Sequence, residues 1–255
     1  MQEHSNEHDP VPNPDSFLDR VIEINGYHYE RSQAITDYRR DPGEARVLYL
    51  CRRAADDEPW KPDAKEQTFI MKVKVQVPPR PASNDATEPL PGPSDTTADE
   101  RKALQKFRES SLNGVPHLVA SKCVAQAATG PFPGGYVSYT IMTLMPGQDL
   151  METKFWSLDD GTKAIIRDAF VNLLKNIWRL DIAPYDCALR NIIWDPETRR
   201  CSIVDFEHYE SAKDPVNMHE NEEMQRWGIV QRPASSHWAV EWGLLKESNV
   251  VASAM

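Results

Sequence analysis

Tyr185–Trp194 reads YDCALRNIIW, and Ser202–Glu207, a few residues later, reads SIVDFE. Asp186 precedes Asn191 by five positions, and Asp205 closes an apolar segment typical of a buried strand. Phosphoryl transfer uses such groups, because one carboxylate can orient a hydroxyl while an amide oxygen and a second carboxylate bind Mg²⁺, which prefers oxygen ligands. An isolated loop aspartate often caps a turn, but the combination of three groups at this spacing favours the functional interpretation.

These two stretches resemble the protein-kinase-like fold family, and its small-molecule branch of aminoglycoside and choline phosphotransferases at least as much as the protein kinases. The family loop reads H-x-D-x-x-x-x-N, and the strand that follows ends in D-F-G or, in the small-molecule branch, often in D-F-E or D-x-E. This chain has Pro184–Asp186 in place of His-x-Asp and ends the strand with Asp205–Glu207. The resemblance is close at the acids and lacks the histidine.

The resemblance implies an α+β, two-lobed protein-kinase-like fold with a β-rich N-lobe and an abbreviated helical C-lobe. We expect a disordered acidic tail over residues 1–15, an N-lobe over residues 16–145 and a reduced C-lobe over residues 146–255. Residues 78–97 are rich in proline and small polar residues, which predicts a flexible insert within the N-lobe.

The resemblance also implies ATP and Mg²⁺ as cofactors and assigns roles to individual residues. Asp186 would be the catalytic base or hydroxyl-orienting group, and Asn191 and Asp205 would bind the metal. Glu207 would either add a third carboxylate near the metal or lie at the surface, and the sequence leaves both alternatives open.

A phosphate-binding lysine is expected in the segment Thr68–Val75, which reads TFIMKVKV. Strand alternation puts Lys72 and Lys74 on one face, so either could serve. Similarity of Phe69–Lys72 to the family's V-A-I-K favours Lys72, and the E-x-x-x-L pattern beginning at Glu100 suggests its partner. Both residue types are also common in such places for structural reasons alone.

The hinge between the two lobes is expected where the strand-like segment Gly135–Leu144 passes into Met145–Leu150, MPGQDL, because Pro-Gly ends strand pairing. The resemblance implies that the backbone of Thr143 and Met145 would bind the adenine.

The phosphate-covering loop is the largest departure from the family. A G-x-G-x-x-G motif should lie between the first two strands, yet residues 26–47 offer only Gly26 and Gly43. Backbone amides approach phosphates closely only where side chains are small. We therefore hypothesise that Arg39 and Arg40 replace part of that contact with charge.

The rest of the sequence contains patterns typical of strands and helices. Apolar alternation separated by turn residues predicts an antiparallel sheet between Val21 and Val77, with further strands at His117–Val124 and Gly135–Leu144. Apolar residues at spacings of three and four predict two helices. One is capped by Thr96 or Thr97, and the longer one covers about 160–180.

Composition limits the functional classes. With 29 Lys and Arg against 39 Asp and Glu, the net charge of −10 opposes nucleic-acid binding. Because the sequence offers neither an apolar run of membrane-spanning length nor a signal peptide, we expect no membrane partner. The four cysteines lack a C-x-x-C pair, which predicts reduced thiols in a cytoplasmic or nuclear protein.

The combined pattern predicts a Mg²⁺-ATP-dependent phosphotransferase acting on a hydroxyl. The Asp-Phe-Glu ending favours a small-molecule acceptor, while a protein substrate or partner stays open. The absent glycine loop and histidine favour an alternative, a catalytically inactive pseudokinase that binds nucleotide or protein. The acceptor pocket is expected between Asn217 and Trp242, where Glu223, Trp227, Trp238 and Trp242 suggest either an acidic, aromatic wall or ordinary core packing.

Overall fold

The computed structural model describes residues 13–41, 43–54, 67–78, 88–212 and 218–230. The first twelve residues of the expected tail, residues 79–87 of the proline-rich insert, and Trp238 and Trp242 lie outside these ranges. The chain forms two compact units. The first contains the described residues up to Arg101 together with His117–Leu144, and the second contains Lys102–Pro116 together with the described residues from Met145 onward.

The first unit is built on one antiparallel sheet. Its strands are β1 Val21–Ile24, β2 Tyr27–Ala34, β3 Arg39–Asp41, β4 Glu44–Arg53, β5 Thr68–Gln76, β6 Leu118–Ala125 and β7 Tyr136–Thr143. Their order is β1-β2-β4-β5-β7-β6, with β3 paired to β4. All pairs are antiparallel, and β5 lies between β4 and β7.

The central strand β5 is buried on both faces, and the two faces differ in chemistry. Alternate residues Met71, Val73 and Val75 enter the apolar core of the unit, where Tyr29 meets Phe69 edge-on. The opposite face carries Lys72, Lys74 and Gln76, all of which are buried. Strand alternation therefore places two lysines on a buried polar face, where each needs a partner.

Helix α1 spans Asp95–Ser110. It begins before the predicted caps, because the carbonyl of Ser94 accepts hydrogen bonds from the backbone N–H groups of Thr97 and Ala98. Thr96 is thus in the first turn, and the prediction of Thr96 or Thr97 as the cap was wrong. The prediction of a flexible insert was also wrong for residues 95–97, which are helical.

The N-terminal residues 13–16 are structured. Pro14–Ser16 form a 3-10 helix with Pro14 buried, and Asp15 makes an ion pair with Arg31. The expected disordered tail therefore does not extend to Asp15.

The second unit combines helices with short strands. Its helices are α1 from Lys102 onward, α2 Asp160–Arg179 and α3 Glu220–Arg226, and its strands are β8 Gln148–Asp149, β9 Ala183–Pro184, β10 Ile192–Asp195, β11 Arg200–Ile203 and β12 Tyr209–Glu210. The sheet order is β11-β10-β8, and β9 pairs with β12. The carboxylate of Asp159 caps α2 by accepting from Thr162 N–H at 2.9 Å, and the apolar stripe of α2 is buried, as its periodicity predicts.

The segment after α1 lies beside β11. The backbone N–H of Ile203 donates to the carbonyl of Gly114 at 2.9 Å. Gly114 has a φ of +84°, and a Cβ there would lie 3.0 Å from both the Cys201 carbonyl oxygen and a methyl of Leu173. The close approach and the positive φ together require glycine.

The prediction of a mixed α and β fold with a strand-rich N-terminal region and few helices is confirmed. The two-lobed arrangement stays a prediction. No helix formed by the described residues has the length and apolar character needed to cross a membrane.

Candidate functional site

The loop that carries Asp186 is held by its own backbone. Tyr185 N–H donates to the carbonyl of His208, and Cys187 N–H donates to the carbonyl of Tyr185. A 3-10 turn over Leu189–Asn191 then leads directly into β10. The loop is therefore fixed at both ends, by the strand pair β9–β12 and by β10, although Tyr185 itself is 71% exposed.

Asp186 interacts with two residues of the same loop. Nη2 of Arg190 lies 2.8 and 2.7 Å from the two carboxylate oxygens. The amide nitrogen of Asn191 donates to the Asp186 carbonyl at 2.9 Å and to Oδ2 at 3.3 Å. The carboxylate thus has a fixed direction, as a hydroxyl-orienting group requires, but it also carries an ion pair that sequence reasoning did not predict.

Asn191 and Asp205 are joined through backbone pairing. Ile192 lies opposite Ile203 in the β10–β11 ladder, and the Asn191 carbonyl accepts from Val204 N–H at 3.0 Å. Asp205 follows directly. Because the Asn191 amide nitrogen faces Asp186, its side-chain oxygen is the atom that a metal would use. A carboxylate and an amide oxygen match the ligands that Mg²⁺ prefers, so the residues present fit that ion.

Asp205 has a φ of +66°, which is in the left-handed region. Aspartate and asparagine enter this region more readily than other residues with a Cβ, but at some energetic cost. The conformation is fixed on one side by the Asn191–Val204 hydrogen bond and on the other by Phe206, which is fully buried. Phe206 packs edge-on against Phe107, with ring centroids 4.6 Å apart.

Glu207 is buried, with 5% of its surface exposed. The alternative of a surface residue was therefore wrong. A buried carboxyl group thus lies two residues after Asp205, where its burial requires a compensating hydrogen bond or charge.

In the first unit, Lys72 and Glu100 form the ion pair that was expected. Nζ of Lys72 donates to Oε1 of Glu100 at 2.8 Å, and 6% and 2% of the two residues are exposed. Both charges are therefore desolvated and directly paired. Their role with phosphates stays a prediction.

Lys74, the other candidate, has a different partner. Its Nζ lies 3.1 Å from Oε1 of Glu44 and donates to the hydroxyl of Thr96 at 3.2 Å. Sequence reasoning did not identify Glu44, because the pair depends on the register of β4 against β5, in which Glu44 lies opposite Gln76.

The expected hinge residues belong to different units. The backbone N–H of Thr143 donates to the carbonyl of His117 at 3.1 Å, and its hydroxyl accepts from His117 N–H at 2.9 Å, so both groups are used by the β6–β7 end of the sheet. Met145 begins the second unit and is half-buried. Adenine binding by these two residues stays a prediction.

The hairpin β3–β4 occupies the position where a glycine-rich loop was sought. Arg39 is exposed, whereas Arg40 donates to the carbonyl of Pro78 and thus already has a backbone partner. Gly43 at the hairpin tip has a φ of +83°, and a Cβ there would contact nothing within 4 Å.

The two described residues of the expected acceptor wall, Glu223 and Trp227, are buried. Trp227 is 1% exposed and packs edge-on against Phe170 of α2, with ring centroids 5.2 Å apart. Glu223 is also buried, and its Oε1 accepts from Arg226 at 2.6 Å. The core alternative is therefore correct for Trp227. Cys187, next to Asp186, is partly buried, and burial raises the pKa of its thiol to about 12.

Comparison with known proteins gave matches among solved structures alone. No protein-family model matches this chain, and no curated protein matches it. The Cydia pomonella granulovirus kinase PK-1 is 16% identical, with a TM-score of 0.46 over 72% of this chain and 52% of that one. Rad53 residues 1–466 in complex with AMP-PNP are 15% identical, with a TM-score of 0.44 over 69% and 38%. This chain thus spans about half or less of each protein's length.

Proposed function

We propose that this protein is a Mg²⁺-ATP-dependent phosphotransferase that acts on the hydroxyl of a small molecule. The observation that carries the proposal is the hydrogen bond from Val204 N–H to the Asn191 carbonyl. It joins the loop that bears Asp186 to the strand end that bears Asp205, so an orienting carboxylate and two metal-binding groups belong to one rigid segment of the second unit.

In this proposal Asp186 accepts a hydrogen bond from the acceptor hydroxyl and aligns its oxygen for attack on the terminal phosphorus of ATP. The bond from that phosphorus to the bridging oxygen breaks, ADP leaves, and the hydroxyl proton passes to Asp186. Asn191 keeps the Asp186 loop closed through its amide nitrogen. The side chains of Asn191 and Asp205 would hold Mg²⁺, which neutralises charge on the phosphate oxygens.

Lys72 would bind the phosphates nearest the ribose. Glu100 supports this role, since a buried lysine held by a carboxylate stays charged and keeps one direction. The acceptor class rests on the Asp205–Glu207 ending, which resembles the small-molecule branch of the kinase-like family and carries a buried Glu207.

Calorimetric titration of ATP, with and without Mg²⁺, into the wild type, Asp205→Asn and Lys72→Met tests the proposal. We expect Mg²⁺-dependent binding by the wild type and at least about tenfold weaker binding by each variant, since each loses a charge that contacts metal or phosphate. Glu222→Gln, which removes an exposed charge of the second unit, is the control. Absence of binding to the wild type would refute the nucleotide-dependent function.

The ion pair of Arg190 with Asp186 favours a second candidate, a nucleotide- or protein-binding module without catalysis. One guanidinium nitrogen approaches both oxygens of the carboxylate that should orient the acceptor. A screen of hydroxyl acceptors with labelled ATP separates the two candidates. Transfer by the wild type that Asp186→Ala abolishes supports the enzyme, whereas tight ATP binding without transfer to any acceptor or to water supports the module.

A further inference from the structure

A closed ring of four polar side chains lies at the start of helix α1. Lys74 donates to Glu44 at 3.1 Å and to the Thr96 hydroxyl at 3.2 Å. The hydroxyls of Thr96 and Ser94 are 3.1 Å apart, and the Ser94 hydroxyl donates to Glu44 at 3.0 Å. Because the single proton of Ser94 is directed to Glu44, Thr96 is the donor between the two hydroxyls. Donation thus runs from Lys74 to Glu44 by two routes, one direct and one through the hydroxyls of Thr96 and Ser94.

The ring joins three separate parts of the first unit. Glu44 begins β4 at the tip of the β3–β4 hairpin, Lys74 belongs to β5, and Ser94 and Thr96 form the entrance to α1. Tyr136 connects a further strand, β7, to the ring, because its hydroxyl donates to Glu44 at 2.6 Å. Glu44 therefore receives three hydrogen bonds from three different elements, which is enough to compensate for its partial desolvation.

A neighbouring amide fixes the chain that leads into the helix. Gln76, 1% exposed, donates to the carbonyl of Glu88 at 3.1 Å and accepts from Leu90 N–H at 2.9 Å. The backbone before α1 is thus bound to the same face of β5 that carries Lys72 and Lys74.

Lys72 and Lys74 bind the same helix at two points. Lys74 contacts its first turn at Thr96, and Lys72 contacts Glu100 four residues later, about 6 Å farther along the axis at 1.5 Å per residue. Two residues apart on β5, the lysines are separated by a similar distance. The two contacts therefore have matched spacing, and a shift of the helix start would also displace Glu100.

We infer that the ring of Glu44, Lys74, Ser94 and Thr96 is a positioning device that holds helix α1 so that Glu100 pairs with Lys72. Glu44 and Lys74 act through Glu100 and do not contact phosphate. Lys74 thereby has a different role from Lys72, although strand alternation placed both lysines on one face. The part of the inference that concerns nucleotide binding rests on the proposed function. The part that concerns the pairing of Lys72 with Glu100 does not.

Acylation of Lys72 by a water-soluble succinimidyl ester, followed by tandem mass spectrometry that separates Lys72 from Lys74, tests the inference without any ligand. The variants are Glu44→Gln and Lys74→Met, each used well below its unfolding midpoint. Glu23→Gln is the matched control, since it removes one carboxylate from an exposed ion pair with Lys122 in the same unit. Lys74→Arg is the rescue variant, because it keeps the charge opposite Glu44.

We expect Lys72 to be protected in the wild type, in the control and in the rescue variant, and to be acylated at least about tenfold faster in Glu44→Gln and Lys74→Met, because local opening of α1 exposes it. Acylation of Lys175 in the second unit, as an internal reference, should not change. Equal Lys72 protection in all five proteins would overturn the inference.

ATP and adenosine affinities of the same variants separate the inference from the proposed function. Weaker binding of Mg²⁺-ATP with unchanged binding of adenosine in Glu44→Gln supports both. Faster Lys72 acylation in a protein that binds no ATP supports the positioning device and refutes the nucleotide function. Unchanged acylation together with tight ATP binding refutes the device alone.

Discussion

Nη2 of Arg190 lies 2.8 Å from Oδ1 and 2.7 Å from Oδ2 of Asp186, four residues earlier in the same loop. The pair is not part of a regular α-helix, because Arg190 lies in a short 3-10 turn over Leu189–Asn191. About a third of each side chain is exposed, so solvent weakens the attraction.

A double-mutant cycle of Arg190→Ala and Asp186→Ala should therefore give a small coupling energy. We expect about 1 kcal/mol or less, because ion pairs this exposed rarely contribute more. Urea denaturation of the two single variants and the double variant measures it. A coupling energy above about 2 kcal/mol would mean that the loop depends on this pair for its structure.

Replacement of Asp205 should separate backbone strain from metal binding. At a φ of +66°, Asp205→Gly should be more stable than Asp205→Ala by about 1 kcal/mol, since a Cβ is disfavoured there. Both variants should lose Mg²⁺-dependent nucleotide binding. Urea midpoints and ATP titrations measure the two effects.

Arg199 provides the control for Asp205, because it is exposed, lies between β10 and β11, and has a φ of +52°. Arg199→Gly should exceed Arg199→Ala in stability by a similar amount while ATP affinity stays unchanged. If Asp205→Ala proved as stable as Asp205→Gly, the left-handed conformation at that position would be refuted.

Gly147 should tolerate no side chain. A Cβ at this residue would lie 2.3 Å from the carbonyl oxygen of Trp194, and its φ is +107°. Gly147→Ala should cost more than about 3 kcal/mol, since it must separate β8 from β10 as well as adopt an unfavourable φ. Gly26→Ala, with a φ of +80° and open space around it, should cost about 1 kcal/mol. Similar urea midpoints for the two variants would contradict this account.

Phe107→Ala should destabilise the second unit strongly. Phe107 and Phe206 are both fully buried and meet edge-on, so truncation loses apolar contact and leaves a cavity, at a cost of about 3–5 kcal/mol. Ile165→Ala, 40% exposed on α2, should cost less than about 1 kcal/mol. Chemical denaturation followed by tryptophan fluorescence reports on both, and a loss below about 1 kcal/mol in Phe107→Ala would contradict the packing.

Buried thiols should make the protein sensitive to alkali. Burial raises the pKa of Cys51 and of Cys201 to about 12, from 9.0 for a solvated thiol. Each thiol thus stays protonated in the folded state while it ionises in the unfolded state. The stability that this provides is complete below pH 9 and is lost as pH rises toward 12, by up to about 1.4 kcal/mol per pH unit for each thiol.

Between pH 9 and 10.5 the free energy of unfolding should therefore fall less steeply with pH in Cys201→Ala than in the wild type, whatever the effect of the substitution at pH 7. Urea denaturation at several pH values measures the slope. Parallel curves for the variant and the wild type would show that Cys201 ionises equally in both states.

Local patterns were enough to predict most of the longer elements, and the family resemblance suggested one buried contact. Strand alternation placed Lys72 and Lys74 on one face, and only the resemblance to the V-A-I-K and E-x-x-x-L patterns selected Lys72 and Glu100, which form an ion pair in the structure. The apolar residues after Asn191 and before Asp205 likewise predicted two strands, whereas the pairing of β10 with β11 is seen only in the structure.

Contacts that depend on register were not predictable from the chain alone. Glu44 meets Lys74 because β4 and β5 pair in one particular register, which no local pattern specifies. The positive φ of Asp205 is fixed by the Asn191–Val204 hydrogen bond on one side and by the buried ring of Phe206 on the other. The role of Trp227 was ambiguous, because a tryptophan is common both in a core and in the wall of a binding site. Its contact with Phe170 assigns it to the core, and that contact is seen only in the structure.

The hydrogen bond from Ile203 to Gly114 has a consequence for solubility. β11 is the outer strand of the three-stranded sheet, and an outer strand with unused backbone groups can recruit a strand from another molecule. The segment that contains Gly114 occupies one of those groups and covers the edge. Without it, the apolar sequence Cys201–Val204 would become an exposed template for intermolecular association, so this short connection also protects the protein against aggregation.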